Sequence, residues 1–147
     1  MLPMMAKVGA AEGIQFDYNG LISNTEASHA LIAAAAEHGG SALQDKVVEA
    51  LFRFYFEAQG ALGDEAAITA VCAASGLPEA VSAAALAPSA RAAVRAEERE
   101  WRDKHGVSGV PFFVFSRADG SGQQVEISGA VEAPAFVEAI SRLNARG

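Results

Sequence analysis

The chain carries one cysteine, Cys72, and three histidines, His29, His38 and His105. A single thiol cannot close an intramolecular disulfide, and no C-x-x-C pair is present to run dithiol exchange. Cys72 stands between Val71 and Ala73 in an apolar helical stretch, where a free cysteine packs as a small hydrophobe. The histidines are scattered and, with one cysteine, show no metal-ligand spacing. No Ser, Cys or Asp is placed by sequence to make His29 a base, so it reads as a packing or surface residue. His38 precedes Gly39-Gly40 at a helix C-terminus, where a cation complements the helix dipole. His105 either caps a helix or reaches a ligand at the loop that follows it.

That loop is the most specific stretch of the sequence: Gly106-Val107-Ser108-Gly109-Val110-Pro111-Phe112-Phe113-Val114-Phe115. Proline has no N–H, so Pro111 belongs at the start of a strand or on a sheet edge. An X–Pro bond such as Val110–Pro111 is the one kind that takes the cis form at a modest cost of about 0.5–1 kcal/mol. The motif predicts a tight turn that launches a buried strand. Phe112 to Phe115 is apolar at every position rather than at alternate ones, the pattern of a strand covered on both faces. A two-stranded hairpin by itself is marginal in water, so such a strand calls for neighbours. The glycine-rich Gly120-Ser121-Gly122 lacks the strand-to-helix setting of a phosphate loop.

The elements that must position this loop are mostly helical, as an alanine-rich chain favours. Residues from Met1 to Ala11 read as the tail of a helix, Gly13 to Tyr18 as an extended segment, and Asn19-Gly20 as a turn. A helix opens at Ser23 or Asn24, with Glu26 completing a capping box, and Gly39-Gly40 stops it. Ser41 and Gln44 open a second helix whose apolar stripe joins Val47, Val48, Leu51, Phe52, Tyr55 and Phe56. Asp64 caps a third, with Ile68, Val71 and Cys72 facing inward, and Pro78 starts a short fourth. Ser89 caps a long charged helix to Lys104, whose run from Arg95 to Lys104 is a solvated face of i,i+3 and i,i+4 pairs. Strands over 111–116 and 123–127 flank turn chemistry at Ala118 to Gly122. A last helix from Pro134 turns Phe136, Val137, Ile140 and Leu143 inward.

Composition bounds the function. The 147 residues suffice for one domain burying roughly two-thirds of its unfolded surface. With 51% hydrophobic and 20% charged residues the chain is globular rather than disordered. A net charge of −7 without a basic stripe argues against nucleic acid. No stretch approaches the roughly 20 apolar residues that cross a bilayer, and the start lacks the pattern of a signal peptide. A lone thiol suits a reducing compartment, so the expected location is the cytoplasm.

Asn24-Thr25 with His29 and Leu31, Leu51-Phe52-Arg53 with Tyr55-Phe56, and Gly76-Leu77 resemble the helical insert of DsbA-like proteins. The stretch from Gly106 to Phe115 and the later Ser128-Gly129-Ala130 resemble the closing part of the same family. The likeness is nearest to its FrnE-like branch, kin to 2-hydroxychromene-2-carboxylate isomerase and kappa-class glutathione transferase. It implies an α/β, thioredoxin-like fold, here incomplete: a mostly helical insert over about residues 23–105, then a β-hairpin and C-terminal helix over about 106–147, together a single domain shortened at its N-terminus. It places a cis-proline at Pro111 and a substrate contact at Gly109, Val110 and Pro111. The family's strand and C-x-x-C (or a serine in the isomerase branch) would precede residue 1. Those missing strands are the neighbours that Phe112 to Phe115 call for.

The resemblance therefore implies a thiol–disulfide oxidoreductase without dithiol catalysis in these residues, with no catalytic residue, no metal and no cofactor. Its partner would be a peptide or thiol substrate at the proline loop. Two alternatives stand beside it: a non-catalytic binding or assembly module that pairs copies through an unpaired strand edge, and a glutathione-dependent isomerase or transferase.

Overall fold

The computed structural model describes residues 2–145 and is mostly helical, with a small antiparallel sheet. Its elements run α1 (Leu2–Ala11), α2 (Glu26–Phe56), α3 (Glu65–Ala74), α4 (Glu79–Ala85), α5 (Pro88–His105), β1 (Phe112–Phe115), β2 (Val125–Ser128) and α6 (Ala133–Asn144). They form two compact units, Met1–Glu97 and Glu98–Gly147.

The first unit is a helical cluster. Leu31, Val47, Leu51, Ile68, Cys72 and Leu77 are buried together, with Ala27, Ala35 and Ala85 filling between them. Alanine at these positions lets α2, α3 and α4 approach closely. Arg91 pairs with Glu65 at 2.6 Å and Arg95 with Glu26 at 2.6 Å, holding the first half of α5 to α3 and α2.

The helix limits differ from the sequence expectation where a cap has another partner. Ser23 does not cap α2; its Oγ accepts a hydrogen bond from the Gly63 N–H at 2.8 Å, joining two loops. Asn24 Oδ1 takes the cap-like role instead, accepting from the Glu26 N–H at 2.8 Å. The stop expected at Gly39-Gly40 is present: Gly40 adopts φ 66°, ψ −168°, and divides Glu26–Phe56 into two helical stretches that meet at a kink. Asp64 caps α3 as its position suggests, accepting from the Ala67 N–H at 3.1 Å.

Phe52 leaves the expected buried stripe and is 55% exposed. It meets Phe56 edge-on and, with Phe16 and Tyr18, lines an aromatic cavity of about 760 Å³. The extended segment before α2 is held there by the Asp17 N–H, which donates to Phe56 O at 2.7 Å.

In the second unit, β1 and β2 pair with Phe112 opposite Ser128 and Phe115 opposite Val125. Phe113 and Phe115 pack against Phe136 of α6, with ring centroids 4.9 and 5.9 Å apart. The inner face of α6 is built from Phe136, Ala139 and Leu143. Val137 and Ile140, expected inward, are 63% and 49% exposed, because a two-stranded sheet covers only a narrow stripe of the helix. Both strands are shorter than expected. The turn between them is stapled by Asp119, whose Oδ1 accepts from the Ser121 N–H and hydroxyl at 2.9 and 2.7 Å. Arg117 and Asp119 form an ion pair at 3.5 Å in the same turn.

Candidate functional site

The proline loop sits where a helix, a turn and a strand meet in sequence. α5 ends at His105, Gly106 takes φ +63°, and the chain runs exposed through Ser108, Gly109 and Val110 before β1 begins. A left-handed φ at Gly106 turns the chain out of the helix without a Cβ clash. The Val110–Pro111 peptide bond is cis. Pro111 O accepts from the Gly129 N–H at 2.8 Å, so the loop is anchored to the residue after β2. That bond brings Ser128-Gly129-Ala130 beside the proline, uniting two stretches singled out in the sequence.

Val110 is 89% exposed, an unusual position for a valine. A Cβ added at Gly109 would meet open space. From Gly106 through Val110 no backbone or side-chain group forms a hydrogen bond with another described residue. The loop thus presents a run of main-chain donors and acceptors. The strand register extends this. Pro111, Phe113 and Phe115 direct their carbonyls toward β2, so by alternation the N–H and C=O of Phe112 and Val114 point to the opposite edge of β1. Among the described residues that edge has no strand beside it.

A side-chain relay stands behind the loop. His105 Nδ1 lies 2.8 Å from Glu126 Oε1. An ionised carboxylate can only accept, so Nδ1 carries the proton of this bond. The His105 ring stacks on the indole of Trp101, centroids 4.4 Å apart and planes inclined by 32°. His105 is therefore neither a helix cap nor a free group at the loop; it bridges α5 to β2. Trp101 falls within the run expected to be a solvated face, yet it is half-buried on His105. The i,i+4 spacing of Trp101 and His105 was a usable sign of their contact. Nothing local marks Glu126, which lies 21 residues from His105 in sequence.

Trp101, with Glu98, Arg102 and the loop from Gly106 to Val110, lines a cavity of about 510 Å³. Glu98 and Arg102 are paired with each other across one helical turn.

Cys72 is remote from such chemistry in kind. It is fully buried in the first unit, and burial pushes its thiol up to about 11. A thiol so raised holds almost no thiolate at neutral pH and is a poor nucleophile. His29 and His38 are exposed on α2. Among the described residues no cluster of His, Cys, Asp and Glu could hold a metal ion, and no helix is long and apolar enough to cross a membrane.

No curated protein matches the chain. A family model, the DSBA-like thioredoxin domain, matches residues 1–141, which takes in the helical cluster, the proline loop, both strands and the first three-quarters of α6. The chain belongs to the DSBA-like thioredoxin domain family.

Proposed function

We propose that this chain forms the substrate-side wall of a DsbA-type thiol–disulfide site, of the FrnE-like branch, and that these residues alone do not carry out dithiol exchange. Gly109, Val110 and Pro111 hold the peptide or thiol substrate. The reading is carried by the family match over residues 1–141 in a sequence whose sole cysteine is buried with a raised thiol pKa. Disulfide exchange needs a thiolate that reaches the substrate, and Cys72 meets neither requirement. A lone reduced thiol fits the cytoplasm.

The test is reduction of insulin by dithiothreitol in the presence of the purified chain. The expected rate equals the uncatalysed background for the native chain and for Cys72→Ala. Turnover that survives Cys72→Ala would overturn the inactivity. Turnover lost in Cys72→Ala would make Cys72 a monothiol catalyst.

A second reading, assembly, is favoured by the outer edge of β1. Its Phe112 and Val114 groups could pair with the same edge of another copy. Sedimentation equilibrium would then give a dimer that Val114→Pro dissociates. A monomer across the whole concentration range removes this reading.

A further inference from the structure

Resting on the reading of the proline loop as a substrate wall, we propose that Trp101 is a specificity-determining residue. It makes the cavity beside the loop a pocket for one apolar side chain of an extended peptide, and His105 and Glu126 position it.

The occupant follows from the two halves of the wall. One half is main chain: Gly106 through Val110 form no hydrogen bond with the described residues. Such a run is matched by another main chain, which supplies donors and acceptors in sequence. The other half is apolar, made by the Trp101 indole with Val107 and Val110. The cavity's two charged groups, Glu98 and Arg102, are of opposite sign and pair with each other, so the lining carries no net charge to favour a charged side chain. An extended peptide with an aliphatic or aromatic side chain satisfies both halves. A charged side chain would lose hydration beside the indole without gaining a counter-ion.

Trp101 is held in advance of binding. Its indole stacks on His105, and His105 is fixed by Glu126 from β2. Holding the ring in place reduces the ordering that a substrate would otherwise have to impose. His105 and Glu126 are thus positioning residues: they act through Trp101.

The experiment uses the full chain, ¹⁵N-labelled, titrated with blocked pentapeptides of glycine and serine around one central residue: phenylalanine, leucine, aspartate or lysine. Trp101 is the chain's sole tryptophan, so its emission and indole N–H signal report on the pocket alone. The phenylalanine and leucine peptides are expected to shift the Trp101 signals together with the amides of Gly106 to Val110. They should bind about tenfold or more tightly than the aspartate and lysine peptides, as desolvating a large apolar side chain allows. Trp101→Ala should abolish the preference and Trp101→Phe retain it, which also covers an unfolded alanine variant. Glu126→Ala should change Trp101 emission before any peptide is added and weaken the preference. Glu126→Gln, which keeps an acceptor for His105, should leave both unchanged.

Loop amides that shift without a side-chain preference and without a Trp101 response would overturn the pocket and leave the substrate wall standing. No shift at the loop with any peptide would overturn both. An unaltered preference in folded Trp101→Ala, or equal effects of Glu126→Ala and Glu126→Gln, would remove the assigned roles.

Discussion

Cys72 is where residue chemistry and position disagree most. A cysteine in this family invites a catalytic reading, but burial raises its thiol from 9.0 to about 11. The sign of the linkage is fixed by that direction. The folded state keeps its proton where the unfolded chain loses it, so this stabilisation is full below pH 9 and is lost as pH rises toward 11. That difference is on the order of 2–3 kcal/mol. Urea unfolding of the native chain should show its midpoint falling between pH 9 and 11, and Cys72→Ala should flatten that fall. At pH 8 the native thiol should react with Ellman's reagent only as fast as the chain opens. The buried, inert role of Cys72 was legible from its apolar neighbours Val71 and Ala73, because burial of a free cysteine follows local pattern. The role of His105 was not, since its partner Glu126 comes from another element.

Among the elements, α2 and the segment before it show how glycine and short polar side chains set the path. Gly40, at φ 66° and ψ −168°, occupies a region that side-chain-bearing residues almost never enter. Gly40→Ala should cost about 1–3 kcal/mol, read from chemical denaturation. Asp17 ties the extended segment to the end of α2. Its carboxylate accepts from the Asn19 N–H at 3.0 Å, the Asn19 amide at 2.6 Å and the Gln59 amide at 2.6 Å. Those bonds, the Asn19 backbone bond foremost, hold the Asp17 carboxyl below its ordinary 3.8. A lowered value contributes stability above pH 3.8 that disappears as pH falls through the folded pKa. The melting temperature of Asp17→Ala should therefore lie below that of the native chain at pH 6, and the gap should narrow as pH falls below 3.8. Turns and helix stops were readable here because Gly and Asn act locally. Ser23 misled, because a hydroxyl suited to capping α2 finds a stronger claim in the Gly63 N–H, 40 residues away.

At the scale of the molecule, apolar burial is uneven. The core of the first unit joins α2, α3 and α4, whereas among the described residues of Glu98–Gly147 only Ala139 is fully buried. Local opening is easiest where few apolar contacts resist it. Hydrogen exchange should thus protect amides of α2 and α3 by at least about tenfold more than those of β1, β2 and α6. Uniform protection across both units would contradict this. Helical content, the loop ending at Pro111, the hairpin and the burial of Cys72 were legible in the sequence, since periodicity, turn residues and burial of short apolar runs are local properties. The contact of Trp101 with His105 and of His105 with Glu126 emerged only from the folded arrangement. The same holds for the bond from Gly129 to Pro111 and for the exposure of Val137, Ile140 and Phe52. Those outcomes depend on which distant surfaces meet, and no local pattern encodes that.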